Sequence, residues 1–274
     1  IVGTWLKKRG NRERFIIGTK VFFSTGDSVN DTGLSRKHIF HSMSESLDRL
    51  GTDYIDLYQM HCFDQMTPIV ETLQVLNDLV RQGKVHYIGA SNFTPSQMME
   101  SLMISRQKGW AAFCSLQLEY SLLVRSPEWE LIPVCQKENV GTLAWSPLAG
   151  GWLTGKFQRS QAIPKDSRAG RGDRWDDGAE QRGGDFTFAI IDVLTEIAKK
   201  HHRSVSQVSL NWMLQSQKVT VPLIGARTLA QLKDNLDCLN WKLDEEDLNR
   251  IDKVSNIPTP SPYSFINRYT RPLE

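Results

Sequence analysis

Tyr54-Ile-Asp-Leu-Tyr-Gln-Met-His61 is an apolar run that ends in a histidine, and the polar stretch Cys62-Phe-Asp-Gln-Met-Thr-Pro68 follows at once. Ile55, Leu57 and Tyr58 suit a buried strand, which puts His61 where that strand would end. In parallel α/β folds the loops after the strands build the pocket, so chemistry gathers at that end. Phe15-Ile-Ile-Gly-Thr-Lys20 has the same shape, a β-rich run that ends in a lysine. Two strands, each ending in a titratable side chain, form the first candidate site.

Working outward, strand and helix patterns alternate along the whole chain. A basic helix end over residues 6–14 precedes a strand over 14–21. Residues 32–50 read as an amphipathic helix with Ser35 as N-cap and Ile39, Met43, Ser46, Leu47 and Leu50 at helical spacing. The strand at 53–61 is followed by a helix over 68–82 that Gly83 closes. A strand at 85–90 leads to a helix over 94–108, opened by Thr94 and Pro95. Further strand–helix pairs occupy 113–120 with 130–139, and 141–146 with a glycine-bearing loop at 147–151. Residues 158–184, rich in Arg, Asp and Gly, break the rhythm and read as a long surface loop. Helices at 186–201 and 204–215, a strand at 219–224, helices at 229–239 and 244–254, and a tail from Pro258 laid over the surface or a pocket mouth complete the chain.

Six βα units with no Gly-x-Gly-x-x-Gly after any strand argue against a Rossmann sheet. They suit an α/β fold of the (β/α)8 TIM-barrel type, which needs two more strands. The expectation is one barrel domain over residues 1–274, with the first two strands upstream of Ile1. The composition, 40% apolar and 23% charged, fits a soluble globular chain. A net charge of +2 gives no electrostatic reason for a nucleic-acid or anionic-membrane partner. No apolar run is long enough to span a membrane. Four scattered cysteines, with no Cys-x-x-Cys, argue for a reduced, cytoplasmic setting and against a metal site.

The strand-end residues carry a resemblance. Gly18-Thr-Lys20-Val, Asp53 to His61, Gly83-Lys-Val-His-Tyr-Ile-Gly-Ala-Ser-Asn92-Phe, Leu116-Gln117-Leu-Glu-Tyr-Ser121, Ala144-Trp145-Ser-Pro-Leu148 and Val221-Pro-Leu-Ile-Gly225-Ala-Arg227 stand in the order of the aldo-keto reductases. The long loop is similar to the potassium-channel β-subunit and aflatoxin-aldehyde-reductase side of that family. Taken singly, each stretch has an ordinary reading as turn, cap or core; the joint arrangement at successive strand ends is what distinguishes them.

The resemblance implies NADPH-dependent reduction of aldehydes or ketones. Lys20 would supply positive charge and His61 would hydrogen-bond the carbonyl oxygen or share in proton transfer. The family's tyrosine acid and its paired aspartate fall on a segment before Lys20 that does not occur in residues 1–274. For NADP(H), the resemblance assigns Ser91, Asn92 and Gln117 to the nicotinamide carboxamide, which needs donors and acceptors. It assigns Trp145 to stacking on the nicotinamide, and Ser146, Leu148, Gly150, Gly151 and Lys156 to the pyrophosphate. Gly225, Arg227, Gln231 and Asn235 fall to the adenosine end, where Arg227 beside a helix N-terminus suits a 2′-phosphate. Phe22, Phe63, Trp152 and Trp175 hint at an aromatic-lined pocket. The partner implied is a small carbonyl compound, with homo-oligomerisation left open. The other reading is a cofactor-binding regulatory or channel-associated subunit with little turnover.

Overall fold

The computed structural model describes residues 1–159, 161–165, 167, 169–171 and 181–270. The chain divides into two compact units. The first holds residues 1–118 and 134–142, and the second holds 119–133 and 143–274.

In the first unit, helix α1 (Val2–Arg9) ends at Gly10, whose φ of 64° is the left-handed stop a glycine supplies without strain. The strands are β1 (Gly18–Val21), β2 (Ile55–Met60), β3 (Val85–Ser91) and β4 (Ser115–Glu119), and the helices between them are α2 (Arg36–Leu50), α3 (Ile69–Arg81) and α4 (Pro95–Lys108). Within the unit, β1 pairs with β2, β2 with β3 and β3 with β4, all parallel. Parallel strands are covered on both faces, which is why β2 reads as a near-continuous apolar run. Ile55, Tyr58 and Met60 are fully buried. On α3 the 3.6-residue period turns Leu73, Leu76 and Leu79 inward, each fully buried. Each such burial contributes about 1.5–3 kcal/mol.

The helix starts follow cap chemistry. Ser35 accepts from the His38 backbone N–H at 3.3 Å, so α2 begins at Arg36 rather than at Thr32. Thr94 and Gln97 form a reciprocal capping box at the head of α4. The expected strand over 14–21 is shorter than its β-rich run. Residues 12–14 form a 3-10 turn instead, because the Arg12 guanidinium folds back to the Phe15 and Tyr54 carbonyls and to the Asp56 carboxylate.

Helix α5 (Leu131–Lys137) and strand β5 (Gly141–Trp145) come next in the chain. In the second unit, β5 pairs in parallel with β6 (Val221–Pro222) through Leu143 with Val221 and Ala144 with Pro222. The strand expected over 219–224 shrinks to two residues, and one more bond to β5 follows them, from the Leu223 N–H to the Ala144 carbonyl at 2.8 Å. Helices α6 (Asp185–Lys200), α7 (Val205–Gln215), α8 (Leu229–Leu236) and α9 (Glu245–Val254) agree with the expected segments to within a few residues. The tail departs from expectation by forming α10 (Tyr263–Tyr269), whose Tyr263 hydroxyl donates to Glu130 at 2.7 Å. Around the buried Trp212, the ring of Tyr120 stacks at 5.9 Å and the guanidinium of Arg125 lies 5.2 Å from the ring centre. No described helix is long and apolar enough to cross a membrane. Parallel strands alternating with helices place the chain in the α/β class, consistent with a (β/α)8 barrel.

Candidate active site

In the first unit, Lys20 on β1 lies opposite Gln59 on β2. The ladder runs one residue past β2, where the His61 N–H donates to the Val21 carbonyl at 2.9 Å. That bond fixes where His61 leaves the sheet relative to Lys20. Burial lowers the pKa of the Lys20 ammonium. The His61 imidazole is also lowered, first by burial and then by the positive charge of Lys20. The two strand-end groups therefore act on each other. Phe23 sets its ring edge-on to His61, with centres 4.7 Å apart.

The neighbouring strand ends add amides and a hydroxyl. Ser91 on β3 lies opposite Gln117 on β4. Asn92, at a φ of 55°, takes the left-handed conformation that asparagine tolerates better than most residues. Its backbone N–H donates to the Gln117 carbonyl at 3.1 Å, and its side-chain nitrogen donates to the His61 carbonyl at 2.9 Å and to Ser91 Oγ at 3.1 Å. The Gln117 side-chain oxygen accepts from Gln59 Nε2 at 3.1 Å. His61, Ser91, Asn92 and Gln117 thus form one hydrogen-bonded set.

The second unit carries a cleft of about 610 Å³. After Trp145 the chain bends through positive φ at Ser146, Ala149, Gly150 and Gly151. A side chain at Gly151 would place its Cβ 2.6 Å from the Lys156 ammonium, so the glycine is what lets that charge lie against the loop. Ser146, Leu148, Gly150, Gly151, Lys156, Gly225, Arg227, Gln231 and Asn235 all line this cleft. Of the second-unit residues assigned by resemblance, Trp145 alone is not on its wall. Gln231 also serves the local backbone: its side-chain oxygen accepts from the Arg227 N–H at 2.9 Å, while Thr228 caps α8 through the Gln231 N–H at 3.2 Å.

Arg171 and Ser206 line the same cleft and were not foreseen from sequence. Arg171 sits in the Arg/Asp/Gly segment, where no periodicity separates one arginine from the next. With Lys156 and Arg227 it brings three cations to the walls, which favours an anionic occupant. The aromatic expectation needs correction at Trp152, which is buried and stacked on Phe157 at 4.2 Å, a core role. Phe63 joins a row of aromatic contacts with Phe93 and Phe113. Trp175 lies outside the described residues. His201, Asp244 and Asp247 cluster closely enough to suggest a metal ion. However, the Lys200 ammonium lies 2.9 Å from both carboxylates, and His201 Nε2 lies 2.7 Å from Asp247. The positive charge those groups call for comes from the chain itself.

A family model described as "Aldo/keto reductase family" matches residues 1–256. The chain belongs to the aldo/keto reductase family. An aldo-keto reductase of Fusarium vanettenii is 36% identical over 228 residues, covering 83% of this chain and 60% of that protein. A putative aryl-alcohol dehydrogenase of Schizosaccharomyces pombe is 38% identical over 232 residues, 85% of this chain and 64% of the relative. The versiconal hemiacetal acetate reductase of Aspergillus parasiticus is 32% identical over 271 residues, 92% and 77%. The chain thus spans less than two thirds of the length of the first two relatives.

Proposed function

We propose that this aldo/keto reductase reduces aldehydes or ketones to alcohols with NADPH. The observation that carries the reading is the Lys20–His61 pair at adjacent strand ends, where each is pushed toward its neutral form and His61 feels the charge of Lys20. A carbonyl oxygen placed there gains negative charge as its carbon is reduced. The Lys20 ammonium stabilises that charge, and a neutral His61 hydrogen-bonds the oxygen. The acid that the family resemblance implies is a tyrosine not found among residues 1–274.

Aldo/keto reductases generally use NAD(P)H, which supplies the hydride. Each unit taken by itself carries residues that suit part of such a group. Glycines at positive φ and the cations Lys156, Arg171 and Arg227 suit phosphates, while Ser91, Asn92 and Gln117 offer the donors and acceptors a carboxamide needs. Arg227 beside the N-terminus of α8 supports NADP over NAD. Arg227→Ala is expected to weaken NADPH about tenfold, the worth of roughly 1.4 kcal/mol, and to leave NADH little changed; titration calorimetry with both nucleotides checks this.

The relative named for aryl alcohols makes aromatic aldehydes the first substrates to assay, and the Phe23 ring beside His61 supports a planar substrate. The test is NADPH consumption by the intact protein with a panel of aromatic and aliphatic aldehydes. No turnover with any of them, while NADPH still binds, would replace this reading with the regulatory one. A small carbonyl compound as partner and a cytoplasmic location complete the proposal.

A further inference from the structure

Gln59 enters the site only through its bond to Gln117, yet it is buried and lies in the row beside Lys20. It lies opposite Lys20 on one side and Gly89 on the other, and Gly89 lies opposite Ser115. Directly paired residues share a face of the sheet, so Lys20, Gln59, Gly89 and Ser115 form one row. His61, Ser91 and Gln117 each stand two residues further toward the C-terminal ends, on the same face. The Gln59 amide leaves its own row, crosses β3 and donates to Gln117 Oε1 in the row above at 3.1 Å. It can do so because Gly89 has no side chain. A Cβ there would stand 3.3 Å from Gln59 Cγ and 2.5 Å from Ser115 Oγ.

A glutamine amide can face either way, and the choice decides what it offers a ligand. The Gln59 amide meets the Gln117 amide at 3.1 Å, and its own oxygen is buried with no hydrogen-bond partner among the described residues, so what the contact fixes is where the Gln117 amide sits. The geometry points to Gln59 as a positioning residue that holds the Gln117 amide in place against the nicotinamide carboxamide. Fixing the amide before binding removes part of the ordering cost. This inference rests on the NADPH reading above.

The test is a double-mutant cycle read by binding. Gln59→Met keeps the side-chain volume and removes the donor. NADPH affinity is expected to fall about fivefold to tenfold, the worth of one buried hydrogen bond. The affinity for 2′-phospho-ADP-ribose, which has no nicotinamide, is expected to stay unchanged. In a Gln117→Met background, the further change Gln59→Met is expected to do nothing. Equal weakening of both ligands, or an undiminished effect without Gln117, would overturn the inference while leaving the cofactor reading intact. A wild-type protein that binds neither ligand overturns both. Should Gln59→Met not fold, side-chain amide signals of the unaltered protein decide. The Gln59 NH2 protons are expected to be protected from solvent exchange in the free state, and the Gln117 NH2 signals to shift with NADP but not with 2′-phospho-ADP-ribose. A freely exchanging Gln59 amide would sink the idea.

Discussion

At the N-terminal end of β1 and β2, Arg12 is met on every side. Its guanidinium donates to Asp56 at 2.6 Å, to the Phe15 carbonyl at 2.7 Å, to the Tyr54 carbonyl at 3.1 Å and to Thr52 at 3.2 Å, and it lies 4.2 Å from the centre of the Tyr54 ring. At the C-terminal end of the same two strands, Lys20 has no carboxylate partner among the described residues, and burial alone pushes its pKa down. Both are cations on one pair of strands. The first is satisfied and stitches the entry to the sheet; the second is held in a state it would not choose. In parallel α/β folds the N-terminal end of the strands serves stability and the C-terminal end serves chemistry. Here the two roles separate along a single strand pair.

The strongest way to break this contrast is Lys20→Met. Turnover is expected to fall by a factor on the order of 10² to 10³, since a charge at the developing oxyanion is lost. The thermal midpoint is expected to hold or rise, because an unpaired, partly buried charge goes with it. Steady-state NADPH consumption and a thermal melt, read together, check both halves. A fall in stability would show that Lys20 is structural after all.

Arg12→Leu should do the reverse. It removes the charged donor from the Asp56 carboxylate and from the Phe15 and Tyr54 carbonyls, although Asp56 keeps the Ile17 N–H at 2.8 Å. The loss is about 2–3 kcal/mol, below the range for fully buried pairs because both partners keep some exposure. Urea denaturation measures it, and turnover of the folded fraction should be unchanged. A variant that folds as well as the wild type but turns over slowly would erase the distinction between the ends.

The smallest effect sharpens the comparison through pH. The His61 pKa is below the ordinary 6.5, by burial first and Lys20 second, so the folded state binds the proton less readily than the unfolded chain. Stability from this group is therefore full above pH 6.5 and is lost as pH falls through the lower folded value. Replacing His61 with leucine should flatten that part of the stability–pH curve. The same change made together with Lys20→Met should show the Lys20 contribution as a departure from additivity.

Much of the fold was legible because the patterns are local. Ser35, Thr94 and Gly83 mark helix ends by their own chemistry, and α3 declares its buried face through leucine spacing. What the sequence hides is where side chains from distant segments overrule propensity. The β-rich run 14–17 stays out of β1 because Arg12 reaches across to a strand some forty residues on. Pro258 onward reads as a tail, yet it holds α10 through Tyr263 and Glu130. In the site, Lys20, His61 and the glycine loop stand at strand ends and could be placed by topology. Gln59 could not. It looks like one polar residue inside an apolar run, and only strand register shows that it faces Gly89 and reaches Gln117.

The shortness of β6 carries a further consequence, one of time. Because the β6 ladder closes after two residues, the amides beside it have few bonds to break before they meet solvent, and local openings of this kind cost far less than global unfolding. Ile55 to Met60, mostly buried and held between β1 and β3, can release their amide hydrogens only when much of the first unit opens. The strand that leads into Gly225 and Arg227 is thus on a faster clock than the strand that carries His61.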